Sequence, residues 1–272
     1  MTDRKALRVG IAGLGAVGLD VSRRLIDGAV PGLTLSAVAV RDAEKARRAL
    51  PQIGDMIALR SATSLADDCD VVVECLPPAL FREVAISVID KGRLFMPLSV
   101  AQLLANDDLV ARARKNGARI VVPSGALLGL DAVRAAAEGV VHSVTMVTRK
   151  PPAGLAGAPY LEKHKISLEN LTEPLKVFDG TAREGALGFP ANLNVAAALS
   201  LAGIGPDRTR LQIWADPGVT RNTHTISVEA EAARFTMTIE GVPSANPRTG
   251  RLVAPSTLTA LRALVSELKI GS

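Results

Sequence analysis

At 272 residues, 48% of them apolar, the chain can build one large domain or two modest ones, and its composition excludes a disordered protein. The net charge of +5 is spread along the chain with aromatics at only 3%, so no nucleic-acid partner is expected, and a mild positive field suits an anionic small ligand equally well. Two cysteines, Cys69 and Cys75, are too few for a disulfide framework and lack metal-ligand spacing; no apolar run is long enough to cross a bilayer and no signal peptide opens the chain, so a cytoplasmic protein with no metal and no membrane partner is expected.

The first element is a short apolar strand from Leu7 to Ala12, followed by Gly13, Gly15 and Gly18 and then helical periodicity through Val21, Leu25 and Ile26. This is G-x-G-x-x-G between a strand and a helix, with Ala16 and Val17 filling the gap. Gly13 makes the tight turn, Gly15 lets a pyrophosphate approach the backbone, and Gly18 lets helix and strand pack closely. The free N–H groups of the helix start face the phosphates. A second strand spans 33–40 and ends at Arg41 and Asp42. An acidic residue here holds the ribose 2′-hydroxyl of NAD, whereas an arginine pairs with a 2′-phosphate, so NADP is favoured and NAD stays open. A solvated charge pair at a helix start is the plainer reading of the same two residues. Strand and helix patterns then alternate through "DVVVECLPP", "RLFMPLSVAQLL" and "ARIVVPSGALLGLDAV", which predicts a doubly wound parallel sheet of Rossmann type. Ligands sit at the carboxyl ends of such strands, which points to 75–77, Ser99 and 124–126, with Cys75 and Ala126 among them.

Beyond about residue 123 the pattern changes. "VHSVTMVTR", "PLKVFDGTAREG", "TRLQIWADP", "NTHTISVEAEA" and "RFTMTIEGV" alternate like strands with one covered face, and one strong helix, 192–203, lies between them with Asn192 as its cap and Gly203 as its stop. We therefore expect an α/β chain: a dinucleotide domain over 1–123, an α+β domain on an open mixed or antiparallel sheet over 124–244, and a terminal segment of about 245–272 whose amphipathic helix packs back on the first domain.

The strings "PSGALLGLDAV", "VTRKPP", "VFDGTAREGALGFPANLNVAAALSLAGIGPD" and "SANPRTGRLVAPS" together resemble the L-aspartate dehydrogenase family over almost the whole chain. The resemblance implies a Rossmann domain joined to a dihydrodipicolinate-reductase-like domain. It implies NAD(P)-dependent interconversion of L-aspartate with iminosuccinate, which hydrolyses to oxaloacetate and ammonia and in some bacteria feeds NAD synthesis. It also implies cofactor contacts at Ala126 and Asn192 and an active-site histidine at His224. "CLPPALFREV" and "SVAQL" depart from the Ala-Ser pair and "SVGAL" expected of relatives, which leaves cofactor preference and rate open near the nicotinamide.

His224 titrates near neutrality in the ordinary case and can handle the amine proton or activate water; strand pattern alone favours a polar side chain on a sheet face, and the family resemblance turns the reading toward the active site. His142 and His164 read as structural or surface residues. Arg149 and Lys150 end a strand beside two prolines, where cations could hold a dicarboxylate; Lys163 and Lys165 read as solvated, and Asn192 and Asn194 could bond a carboxylate or the cofactor carboxamide. Another reductase on the same architecture, such as a dihydrodipicolinate reductase or homoserine dehydrogenase, and a catalytically silent NAD(P)-binding sensor are the alternative readings. A homodimer built on the second-domain sheet is expected, because that sheet leaves one broad face to cover.

Overall fold

The structure, a computed structural model, describes residues 6–190, 193–242 and 250–271. The chain divides into two compact units: residues up to Pro123 together with Val253–Ile270, and Ser124–Leu252 with Gly271.

The first unit runs β1 (Leu7–Ala12), α1 (Ala16–Ile26), β2 (Leu33–Ala39), α2 (Ala43–Ala49), β3 (Ala58–Arg60), α3 (Leu65–Asp68), β4 (Val71–Glu74), α4 (Phe81–Asp90), β5 (Leu94–Pro97), α5 (Asp108–Lys115) and β6 (Arg119–Ile120). Its six strands lie in the order β3-β2-β1-β4-β5-β6 and every pairing is parallel. A parallel sheet with helices on both faces needs strands that are apolar on both sides, and the buried runs Val9–Ala12 and Val71–Val73 supply them. The strand order reverses between β1 and β4, and the crevice outside their carboxyl ends is where such sheets take ligands.

The second unit runs α6 (Leu130–Ala137), β7 (Val141–Lys150), α7 (Pro159–Lys163), β8 (Leu175–Thr181), α8 (Ala182–Gly188), α9 (Asn194–Ala202), β9 (Thr209–Ala215), β10 (Asn222–Ala230) and β11 (Arg234–Gly241). The sheet order is β11-β10-β7-β9-β8, mixed rather than purely antiparallel, because β7 and β9 run parallel while the other neighbours are antiparallel. Val144, Met146, Leu211, Ile213, Ile226 and Val228 point to one face and share a core with Phe189, Leu193, Ala196 and Leu199. The other face carries a hydroxyl ladder, Thr225 to Thr238 at 3.0 Å and Ser227 to Thr236 at 3.3 Å.

Two sequence expectations change here. The stretch 174–185 is not one strand: it breaks at Thr181, whose hydroxyl accepts the Glu184 N–H at 3.2 Å while Glu184 takes the Thr181 N–H at 2.8 Å. That reciprocal box starts α8, so the layer over the sheet holds more helix than the single segment expected. The helix expected over 192–203 begins at Asn194; its N-cap position is Leu193, which gives no side-chain bond, and Asn192 lies outside the described residues.

A final helix, α10 (Val253–Ala263), belongs to the first unit, where Leu258 and Leu261 join the core built by Val9, Val21, Leu25 and Val38.

Candidate active site

The turn after β1 has the geometry its glycines require. Gly13 sits at φ +99°, where L side chains are strained, and a Cβ there would come 2.7 Å from the Cys75 carbonyl oxygen. A Cβ on Gly18 would lie 2.0 Å from the Gly13 carbonyl oxygen, so only glycine lets α1 close on the turn. Gly15 differs: a Cβ there would meet nothing within 4 Å. Its bareness serves no packing inside the protein and leaves room for a phosphate. Gly15 is also the N-cap of α1, without a side-chain cap and with no acidic residue in the first turn, so the N–H groups of Ala16 and Val17 and the positive end of the helix dipole are left for an anion. These residues fit a dinucleotide pyrophosphate.

At the end of β2, Arg41 and Asp42 are both exposed. The Asp42 carboxylate caps α2 by accepting the Lys45 N–H at 2.9 Å, so part of its hydrogen-bonding capacity is already used.

The carboxyl ends of β4 and β5 are tied together by Glu74, which the sequence reading missed. Its side chain is fully buried and accepts the Leu76 N–H at 2.7 Å, the Ser99 N–H at 3.1 Å and the Ser99 hydroxyl at 3.0 Å. Burial pushes its pKa up, and the donors from Leu76 and Ser99 oppose that rise. The Ser99 hydroxyl is therefore directed at Glu74, with the Leu76 carbonyl oxygen a longer 3.3 Å away. Cys75 is half-buried, and desolvation pushes its thiol well above the ordinary range, with the Glu74 charge adding to it. The signal for Glu74 was a lone acid closing an otherwise apolar strand, "DVVVE".

In the second unit, β7 and β10 pair so that His224 lies opposite Thr148 and Thr223 opposite Arg149. Side chains alternate along a strand, so His224, Thr148 and Lys150 fall on the helix-covered face. All three are buried: Thr148 is 1% exposed, His224 4% and Lys150 6%. The Thr148 hydroxyl and His224 Nδ1 are 3.1 Å apart. Burial, with the Lys150 charge adding to it, pushes His224 down to about 3. Burial likewise pulls the Lys150 ammonium down to about 8. A buried histidine and lysine with perturbed pKa values on one sheet face make that face a functional-site candidate.

The expected pairing of Arg149 with Lys150 on one dicarboxylate is not what the strand alternation gives. Arg149 turns to the open face, bonds Asp216 at 3.0 Å and stacks over Trp214 at 4.7 Å from the ring centroid. Asn194 is exposed at the first turn of α9, and Ala126 is half-buried in the loop before α6. His142 is exposed; His164 is exposed and stacks on Tyr160; Lys163 and Lys165 are exposed too. Among the described residues no group of three or more His, Cys, Asp or Glu side chains could hold a metal ion, and no helix is long and apolar enough to cross a membrane.

Known proteins place this architecture. Residues 13–123 match the family described as homoserine dehydrogenase, NAD binding domain, and residues 131–264 match aspartate dehydrogenase, C-terminal. An L-aspartate dehydrogenase of Bradyrhizobium diazoefficiens is 52% identical, covering 100% of this chain and 98% of its own. L-aspartate dehydrogenase 3 of Bordetella bronchiseptica is 47% identical over 100% of both chains. The crystal structure of aspartate dehydrogenase from Thermotoga maritima shares the fold at a TM-score of 0.75, 23% identity and coverage of 97% of this chain and 99% of that one. A phosphate-ready Rossmann turn, a mixed sheet carrying a buried histidine and lysine, and end-to-end identity with these relatives lead to one conclusion: the chain belongs to the L-aspartate dehydrogenase family.

Proposed function

We propose that the chain is an NAD(P)-dependent oxidoreductase acting on the CH–NH2 group of L-aspartate, interconverting it with iminosuccinate, which water converts to oxaloacetate and ammonia. The full-length identity with relatives named for that activity carries the reading. When bound, the nicotinamide supplies a hydride acceptor in oxidation and a hydride donor in reduction. Gly13, Gly15, Ala16, Val17 and Gly18 hold its pyrophosphate. Arg41 takes the adenosine side and slightly favours NADP, since Asp42 is partly committed to capping α2. Cys75 and Ser99 line the cofactor edge, and Ala126 and Asn192 remain cofactor contacts by family resemblance.

His224 and Lys150 meet the substrate at its amine and carboxylate end. Lys150 lies at the amine end as a buried nitrogen whose pKa burial lowers to about 8, and Asn194 adds an amide donor for a carboxylate. Burial also keeps water from the imine until it leaves. Arg149 is left out of this set by its place on the open face. We further place the protein in the cytoplasm as a homodimer covering that face, with the iminosuccinate available for NAD synthesis.

The test is purified protein with oxaloacetate, ammonium and NADPH, then NADH, following absorbance of the reduced nicotinamide, with His224→Ala alongside. Ammonium-dependent oxidation that falls in the variant by about 100-fold or more supports the reading. Tight cofactor binding with no turnover would sink it in favour of a silent binder, and turnover only with another keto or imino acid would point to a different reductase.

A further inference from the structure

Among the described residues the hydroxyl of Thr148 has one hydrogen-bond partner, His224 Nδ1 at 3.1 Å, and the residue is buried. A buried hydroxyl proton without an acceptor is costly. If Nδ1 carried the ring proton it would donate to Thr148, and the hydroxyl proton would have nowhere to go. The arrangement that satisfies both groups has Thr148 donating to Nδ1, which puts the ring proton on Nε2. An imidazole in that form offers its outer nitrogen as a donor and cannot take a proton there. The nitrogen on the same sheet face that can take one is Lys150, two residues along β7.

Resting on the aspartate reading above, we propose that Lys150 Nζ takes the proton of the substrate ammonium, while His224, fixed by Thr148 as the Nε2–H tautomer, stays neutral and donates from Nε2 to a substrate carboxylate oxygen. In oxidation one N–H bond of the ammonium breaks and its proton moves to the lone pair of Lys150 Nζ. The C2–H bond then breaks with its electron pair leaving as hydride, for which a bound oxidised nicotinamide would supply the acceptor. The amine lone pair closes the C=N bond, leaving protonated imine and a Lys150 ammonium. In reduction Lys150 returns the proton to the amine.

The surroundings agree with this assignment. The helices over this face bring Val133, Ala136, Leu161, Ala182 and the run Ala196–Ser200 as buried residues, none of which titrates. On the neighbouring strands the same face carries Ile226 and Ile213, and Ile239 pairs with His224. Asp216, whose N–H bonds the Lys150 carbonyl at 2.8 Å, has its carboxylate on Arg149 at 3.0 Å and on the Gly218 N–H at 2.9 Å. Lys150 is pulled into the neutral pH range by burial, and His224 is pushed below it.

Two measurements test the proposal. Ring 15N NMR of histidine-labelled protein without cofactor, with His224 assigned by its loss in His224→Gln, reads the tautomer directly. A protonated Nε2 and bare Nδ1, unchanged from pH 8 to pH 5, is expected. A protonated Nδ1, or a ring that titrates near 6.5, overturns the proposal without touching the aspartate reading. In kinetics, wild-type turnover of L-aspartate first establishes that reading, and its absence is the failure of that reading alone. Lys150→Ala is then expected to lose roughly 100-fold or more in kcat, to lose the rise of kcat toward pH 8, and to regain activity with added methylamine. A Lys150→Ala enzyme that keeps wild-type kcat and pH profile overturns the assignment. Thr148→Val, which leaves Nδ1 free, is expected to show a mixture of tautomers; a single unchanged tautomer removes Thr148 as the positioning residue.

Discussion

Replacing Glu74 with Gln changes one oxygen for an NH2 group and leaves shape almost untouched. One carboxylate oxygen takes the Leu76 N–H at 2.7 Å and the Ser99 hydroxyl at 3.0 Å, and the other takes the Ser99 N–H at 3.1 Å. In either orientation a glutamine amide turns its NH2 toward a backbone N–H, which is left buried and unsatisfied at about 1–3 kcal/mol. The bonds that survive lose their charge assistance, while removing a buried charge returns part of the loss. The net is about 2 kcal/mol, or about 4–8 °C in apparent Tm for a unit of this size. Because Glu74 joins the ends of β4 and β5 at the cofactor edge, the loosened turns should also weaken NADPH binding several-fold, on the order of 1 kcal/mol. Thermal unfolding followed by circular dichroism and a fluorescence titration with NADPH measure both. A variant with wild-type Tm and wild-type affinity would refute the reasoning, since a buried backbone N–H would then have lost its acceptor without consequence.

Gly15→Ala should fold with near-normal stability, because its Cβ meets nothing within 4 Å, yet bind cofactor at least tenfold more weakly; Gly18→Ala, whose Cβ would fall 2.0 Å from a backbone oxygen, should lose stability by about 1–3 kcal/mol or fail to express, and paired melting and binding curves separate the two. Acid should unfold the second unit partly through His224. A base with a depressed folded value is neutral in both states above its ordinary 6.5, and stability falls with pH from there toward about 3, on the order of 2 kcal/mol between pH 7 and 5. Lys150 adds no slope in that window, being protonated in both states below about 8, so urea midpoints of His224→Gln should lose most of this pH dependence if burial is the cause. Thr181→Ala removes the acceptor of the Glu184 N–H and should lower stability by about 1 kcal/mol in the same denaturation assay; an unchanged midpoint would mean the box does not hold the start of α8.

Local chemistry made the nucleotide unit legible in the sequence. The glycine spacing, the apolar strands and the βα alternation each reflect constraints acting within a few residues, and the structure keeps them nearly in place. The mixed sheet was legible as alternation, and Thr181-x-x-Glu184 was a readable helix start inside a stretch that otherwise alternates like a strand. Glu74 was not legible as a clamp, because two of its three donors come from Ser99, 25 residues away, and only the pairing of β4 with β5 brings Ser99 to it. Nor could the sequence separate Arg149 from Lys150. Adjacent cations look alike until a sheet assigns them to opposite faces, one stacked on Trp214 in the open and one buried beside His224. The sequence determined that His224 stands in a strand beside polar threonines. Tertiary packing decided its surroundings: burial lowers its pKa, and a threonine 76 residues away in the chain sets its hydroxyl 3.1 Å from Nδ1.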